Sequence, residues 1–109
     1  MGSKLLREVC ESIGVTRRAV QGYEAIGLVA PTGRNKMGYL LYDDTAQNKI
    51  RNIKQFQDMG FSLKEIKELE NSSTEEIRKA LEAKVLEIRR EIEKITECIR
   101  IAEDILKKL

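Results

Sequence analysis

The chain has 109 residues, 35% of them charged and 41% hydrophobic, with a single proline, a balance suited to one helical domain plus an appendage. No run approaches the roughly 18 apolar residues of a membrane helix and the first residues hold no secretory apolar segment, so a soluble, cytoplasmic protein is expected. Histidine is absent, Cys10 and Cys98 stand alone, and no glycine-rich phosphate loop or nucleophile motif occurs, so neither an enzyme, a metal site, a cofactor nor a disulfide framework is expected.

Net charge is only +2, but it is unevenly spread. Residues 1–57 carry nine Lys/Arg against five Asp/Glu, whereas residues 75–109 carry nine of each. A basic front and a neutral, densely charged rear suggest two separate tasks.

Leu6, Val9, Cys10 and Ile13 recur at the spacing of one helix face. Cys10 on that face reads as a small core side chain rather than a reactive thiol. Gly14 breaks the helix, and Thr16 is suited to cap a second one whose inner side carries Val20, Tyr23 and Ile26, ended by Gly27. Two short helices joined by a glycine turn form a helix-turn-helix pattern. The stretch from Ala30 to Gly38 is rich in turn formers and basic side chains, and Tyr39-Leu40-Leu41-Tyr42 follows. A short hairpin with Arg34, Asn35 and Lys36 at its tip fits these residues; an ordinary solvated loop is the competing reading.

Asp43 is suited to cap a third helix with Ala46, Ile50, Ile53 and Phe56 inward, ended by Gly60. Ser62-Leu63-Lys64-Glu65 predicts a capping box, after which Leu63, Ile66 and Leu69 face the core. Asn71-Ser72-Ser73 forms a polar joint, and Ser73 with Glu76 offers a second capping box. Then Leu81, Val85, Ile88, Ile92, Ile95, Ile99, Ala102, Leu106 and Leu109 alternate steps of four and three. That period of 3.5 is the mark of a coiled coil, here a rod of roughly 40 Å at about 1.5 Å per residue. Pairing with a second copy would bury the stripe; folding back on the chain's own first domain is the alternative. Ile77, Leu86, Ile101 and Ile105 add apolar surface for either contact. Cys98 lies one residue before a seam position and reads as packing, with an inter-subunit thiol as the weaker alternative.

Four of these stretches together resemble the MerR family of bacterial transcription regulators, over residues 5–71. They are Gly14-Val15-Thr16; Tyr23-Glu24-Ala25-Ile26-Gly27-Leu28; Gly38-Tyr39-Leu40-Leu41-Tyr42; and Gly60-Phe61-Ser62-Leu63-Lys64-Glu65-Ile66. The resemblance implies a mainly α fold. A winged helix-turn-helix over residues 1–73, with a small β-hairpin wing, would be followed by a dimerisation helix over residues 74–109 forming an antiparallel coiled coil. It implies a homodimer on an inverted-repeat operator in double-stranded DNA, with RNA polymerase as a further partner at the promoter. Activators of the family untwist a promoter whose spacer is too long. Carried over by position, Thr16, Arg17, Arg18 and Tyr23 would meet DNA from the second helix. Arg34, Lys36 and Tyr39 would act from the wing and Lys54 from the third helix. Core packing is the competing role for Tyr23, and Tyr42 reads as hairpin packing.

Two departures stand out. The family usually places Arg-Tyr before Tyr-Glu, where this chain has Gln21-Gly22, and an arginine after the wing's Gly-Tyr, where it has Leu40. A helical glycine costs roughly 1 kcal/mol relative to alanine, and close approach of another surface at Gly22 would account for it. The missing arginines motivate an alternative function, a protein-interaction adaptor of the same fold that has lost operator recognition. Larger relatives carry a ligand-binding domain after the coiled coil and metal-sensing ones place cysteines around it; neither feature is expected here.

Overall fold

A computed structural model describes residues 2–109. The elements run β1 (Lys4–Leu5), α1 (Leu6–Ile13), α2 (Arg17–Ala25), β2 (Gly33–Arg34), β3 (Leu40–Tyr42), α3 (Asp44–Asp58), α4 (Leu63–Glu70) and α5 (Thr74–Lys108). They divide into two compact units, Met1–Asn71 and Ser72–Leu109. Among the described residues, no helix is long and apolar enough to cross a membrane.

In the first unit the helix boundaries follow from local chemistry. Thr16 Oγ1 accepts the Ala19 N–H at 3.0 Å and Asp43 Oδ1 accepts the Ala46 N–H at 2.9 Å, so α2 and α3 each begin with one otherwise orphaned donor satisfied. At α4 the Ser62 and Glu65 side chains each accept the other's backbone N–H, at 3.1 and 2.9 Å. Glycine ends α1 and closes the turn after α2: Gly14 has φ 81° and Gly27 φ 78°, a left-handed geometry that a Cβ disfavours. After Gly27 the Leu28 N–H returns to the Tyr23 carbonyl at 2.9 Å. That reversal has a consequence that helical periodicity misses. Ile26, expected inward, is the C-cap of α2 and lies 38% exposed, while Leu28 and Val29 beyond the turn enter the core.

The sheet is three-stranded and antiparallel, in the order β1-β3-β2. The wing hairpin pairs Gly33 with Leu41 and Arg34 with Leu40. On its other edge β3 takes β1, with Lys4 opposite Tyr42 and Leu5 opposite Leu41. This third strand has no sequence signal, since two residues leading straight into a helix carry no alternation to detect. The sheet, α1, α2, α3 and α4 enclose a core that includes Val9, Val20, Tyr23, Tyr42, Ile50 and Ile66. Gln47 is buried among these apolar residues, its Nε2 donating to the Tyr42 carbonyl at 2.7 Å and the Gly2 carbonyl at 3.1 Å. A buried amide with both protons engaged avoids the cost of an unsatisfied donor. Phe56 and Phe61 stack across the end of α3, ring centroids 5.3 Å apart.

The second unit is α5, 35 residues long, or roughly 50 Å at about 1.5 Å per residue. It starts at the Ser73–Glu76 capping box, where the hydrogen bonds from Ser73 hold the Glu76 carboxyl below its ordinary range. No residue of α5 is buried. Val85, Ile92, Ile95, Ile99, Leu106 and Leu109 are exposed, Ile95 by 61%; Leu81 and Ile88 are half-buried and Ala102 is exposed.

Candidate nucleic-acid interface

The α2 helix opens with two adjacent cations, Arg17 and Arg18, both exposed. Among the described residues neither is engaged by a carboxylate or hydrogen bond. Basic side chains in the first turn oppose the helix dipole, so the fold gains nothing locally from them. Just ahead, the Thr16 oxygen is occupied as cap acceptor while its O–H stays available as a donor.

The wing is organised from within. Asn35 Oδ1 accepts the N–H groups of Met37 and Tyr39, each at 3.0 Å, and Arg34 Nη1 donates to the Gly38 carbonyl at 2.7 Å. Arg34 therefore spends one of its five donors bracing the hairpin end. Lys36 is exposed without a partner among the described residues, and the Tyr39 ring is 55% exposed. In α3, Lys54 pairs with Asp58 at 2.9 Å. That pair is part-exposed and of the i,i+4 kind, worth only a few tenths of a kcal/mol, so a phosphate could displace it at small cost.

Tyr23 belongs to the interior. It is 1% exposed, and its hydroxyl donates to Gln57 Oε1 at 2.6 Å. Burial raises its pKa, with Lys54 pulling the other way. Its place on the helix faces α3 rather than solvent, which favours the packing role. On the wing side of α2, Tyr42 is fully buried and donates to Glu24 Oε2 at 2.7 Å; burial and then that carboxylate push its phenol well above the ordinary range. Two buried phenols thus fix α2, one to α3 and one to β3. Cys10 is half-buried, and burial pushes its thiol up against the pull of Arg17.

Close approach does not explain Gly22. A Cβ built there would meet only Leu63 Cδ1, at 3.9 Å, which is ordinary van der Waals distance. Leu40, where an arginine was the family expectation, is half-buried and lines a cleft of about 510 Å³. Gly38 and Tyr39 from the wing, Arg17 from α2 and Arg7 from α1 line the same cleft. Sequence reasoning passed over Arg7, because α1 reads as a packing helix and the cleft is assembled from segments far apart in the chain.

Residues 6–73 match the family described as MerR HTH family regulatory protein, and residues 47–100 match the one described as MerR, DNA binding. The HTH-type transcriptional regulator CueR of Escherichia coli O157:H7 is 32% identical over 100 residues, covering 92% of this chain and 71% of CueR. Nodulation protein NolA of Bradyrhizobium diazoefficiens is 38% identical over 78 residues, covering 69% of this chain; the match spans only 33% of NolA. Among solved structures, a MerR-family regulator from Bacillus cereus superposes with a TM-score of 0.79 at 25% identity, covering 98% of this chain and 82% of that one. HiNmlR, a MerR-family regulator lacking the sensor domain and solved bound to promoter DNA, shares the fold at a TM-score of 0.76 and 19% identity, over 90% of this chain and 79% of its own. With the helix-turn-helix, the wing and the long final helix in family order, this chain belongs to the MerR family of DNA-binding transcription regulators.

Proposed function

We propose that the chain works in the bacterial cytoplasm as a homodimer that reads an inverted-repeat operator at a promoter, where it meets RNA polymerase. The observation that carries this reading is the pair of uncommitted arginines opening α2. An arginine fork can span the two acceptors of guanine or grip a phosphate, and the first residues of a recognition helix are the ones that reach base edges. Thr16 donates to the backbone, Lys36, Tyr39 and Arg34 hold the flanking strand from the wing, and Lys54 exchanges Asp58 for a phosphate. Tyr23 and Tyr42 position α2 without touching DNA.

Dimerisation runs through Leu81, Val85, Ile88, Ile92, Ile95, Ile99, Ala102, Leu106 and Leu109. Support for it is energetic: an apolar stripe of this length, exposed along α5, is stabilised by about 25 cal/mol for each Å² removed from water. A two-fold dimer matches a two-fold operator. The match of residues 47–100 to a DNA-binding description favours a regulator over an adaptor.

The test is selection from a pool of random duplexes at low salt. The wild-type chain is expected to enrich an inverted repeat, and the Arg17→Ala, Arg18→Ala double variant to lose that enrichment at unchanged thermal stability, each arginine accounting for about 1–3 kcal/mol of discrimination. No enrichment by the wild type, or equal enrichment by the variant, would contradict the proposal.

A further inference from the structure

The cleft between α1, the start of α2 and the wing carries a second basic group. Arg7 lies in the first turn of α1, is exposed, and among the described residues has neither an ion pair nor a hydrogen bond. It shares the cleft with Arg17, Gly38 and Tyr39. The fold derives no visible benefit from it. The first turn of α1 is already capped by Glu8, whose Oε1 accepts the Leu5 N–H at 2.9 Å, and a cation there opposes the helix dipole. Two guanidinium groups of like charge line one cleft. A cation that gives the fold no visible local benefit, placed beside another in a cleft, points to a function.

Resting on the DNA-binding reading above, we infer that Arg7 is an additional DNA-backbone contact, and that the cleft seats one phosphate between Arg7 and Arg17. Charge complementarity selects an anion. The other lining residues select its source: Arg17 opens the helix that reads the groove and Tyr39 stands on the wing that flanks it, so a strand held by both runs past Arg7. The contact is to phosphate and therefore carries no sequence information. Its place in the fold is α1, outside the recognition helix and the wing. It enlarges the DNA footprint on the wing side of α2.

The experiment is a salt titration of binding to mixed-sequence duplex DNA, followed by fluorescence anisotropy, with the wild-type chain, Arg7→Gln and Arg7→Lys. Each phosphate neutralised contributes about 0.9 to the slope of log affinity against log salt. Arg7→Gln is expected to flatten that slope by about this amount for every copy of Arg7 engaged. It should weaken binding about tenfold, equally on mixed and on selected sequences, with its melting temperature unchanged or raised. Arg7→Lys should keep most of the slope. Inorganic phosphate should displace DNA no better than chloride at equal ionic strength.

An Arg7→Gln slope equal to wild type would overturn the inference. So would a loss confined to the selected sequence, a loss that tracks a fall in melting temperature, or tight binding of inorganic phosphate. Wild-type protein that binds no duplex would overturn both this inference and the function it rests on, whereas an unaltered Arg7→Gln beside a binding wild type overturns this one alone.

Discussion

In the first 71 residues the large side chains Val20, Tyr23, Tyr42 and Ile50 are buried, while Arg7, Arg17, Arg18 and Lys36 stand in solvent without partners among the described residues. In α5 the arrangement is reversed. Arg78 pairs with Glu75, Lys84 with Glu87, and Arg100 with both Glu97 and Asp104, whereas Ile92, Ile95, Ile99 and Leu106 are exposed. Exposed i,i+3 and i,i+4 pairs stabilise little, but they join charges that balance along the rod. The contrast separates two kinds of unmet demand. One unit has buried its apolar groups and is left wanting an anion; the other carries equal numbers of either charge, nine of each over residues 75–109, and is left wanting apolar surface. On the proposed function, DNA answers the first demand, and a second copy of the chain answers the second.

Substitutions in the seam should break that contrast most severely. Ile92→Asp with Ile95→Asp removes four isoleucines per dimer at about 1.5 kcal/mol or more each and puts unpaired carboxylates in their place. Dimer affinity should fall by more than about a thousandfold, read by sedimentation velocity, with the helices of the first unit intact by circular dichroism. A variant that stays dimeric would show that the stripe serves another surface.

Tyr23 sharpens the comparison from the other unit. Tyr23→Ala should lower the stability of the first unit by about 3–5 kcal/mol and Tyr23→Phe by about 1 kcal/mol, through loss of the bond to Gln57. Both are measured by chemical denaturation. DNA affinity of the folded Tyr23→Phe protein should equal wild type; a clear loss at unchanged stability would return Tyr23 to the contact set. Smallest is Gly22→Ala, expected to raise stability by about 0.5–1 kcal/mol because the helix gains and Leu63 Cδ1 leaves room. A destabilised variant would mean that another surface does approach Gly22.

How legible all this is in the sequence depends on how local the cause is. Thr16, Asp43, Ser62 and Ser73 act within three residues of themselves, so their caps can be read directly. The long helix and its apolar stripe are equally plain, since the period repeats along one element. What escapes is set by residues distant in the chain. β1 exists because β3 has a free edge far along the chain, Lys4 lying opposite Tyr42. Gln47 is buried because two carbonyls happen to meet its amide. The side chain of Tyr23 sits on a helix whose faces meet both core and solvent, and only the packing of α3 decides between them. Arg7 is the same case in the interface: nothing near it in sequence hints that the wing and the start of α2 share its cleft.

The most direct test of the account is the stoichiometry of the complex with duplex DNA selected by the wild-type chain, measured by sedimentation equilibrium or mass photometry at micromolar protein. Two chains per duplex are predicted, falling to no stable complex with the doubly substituted seam. One chain per duplex, or an undiminished complex from the seam variant, would contradict it.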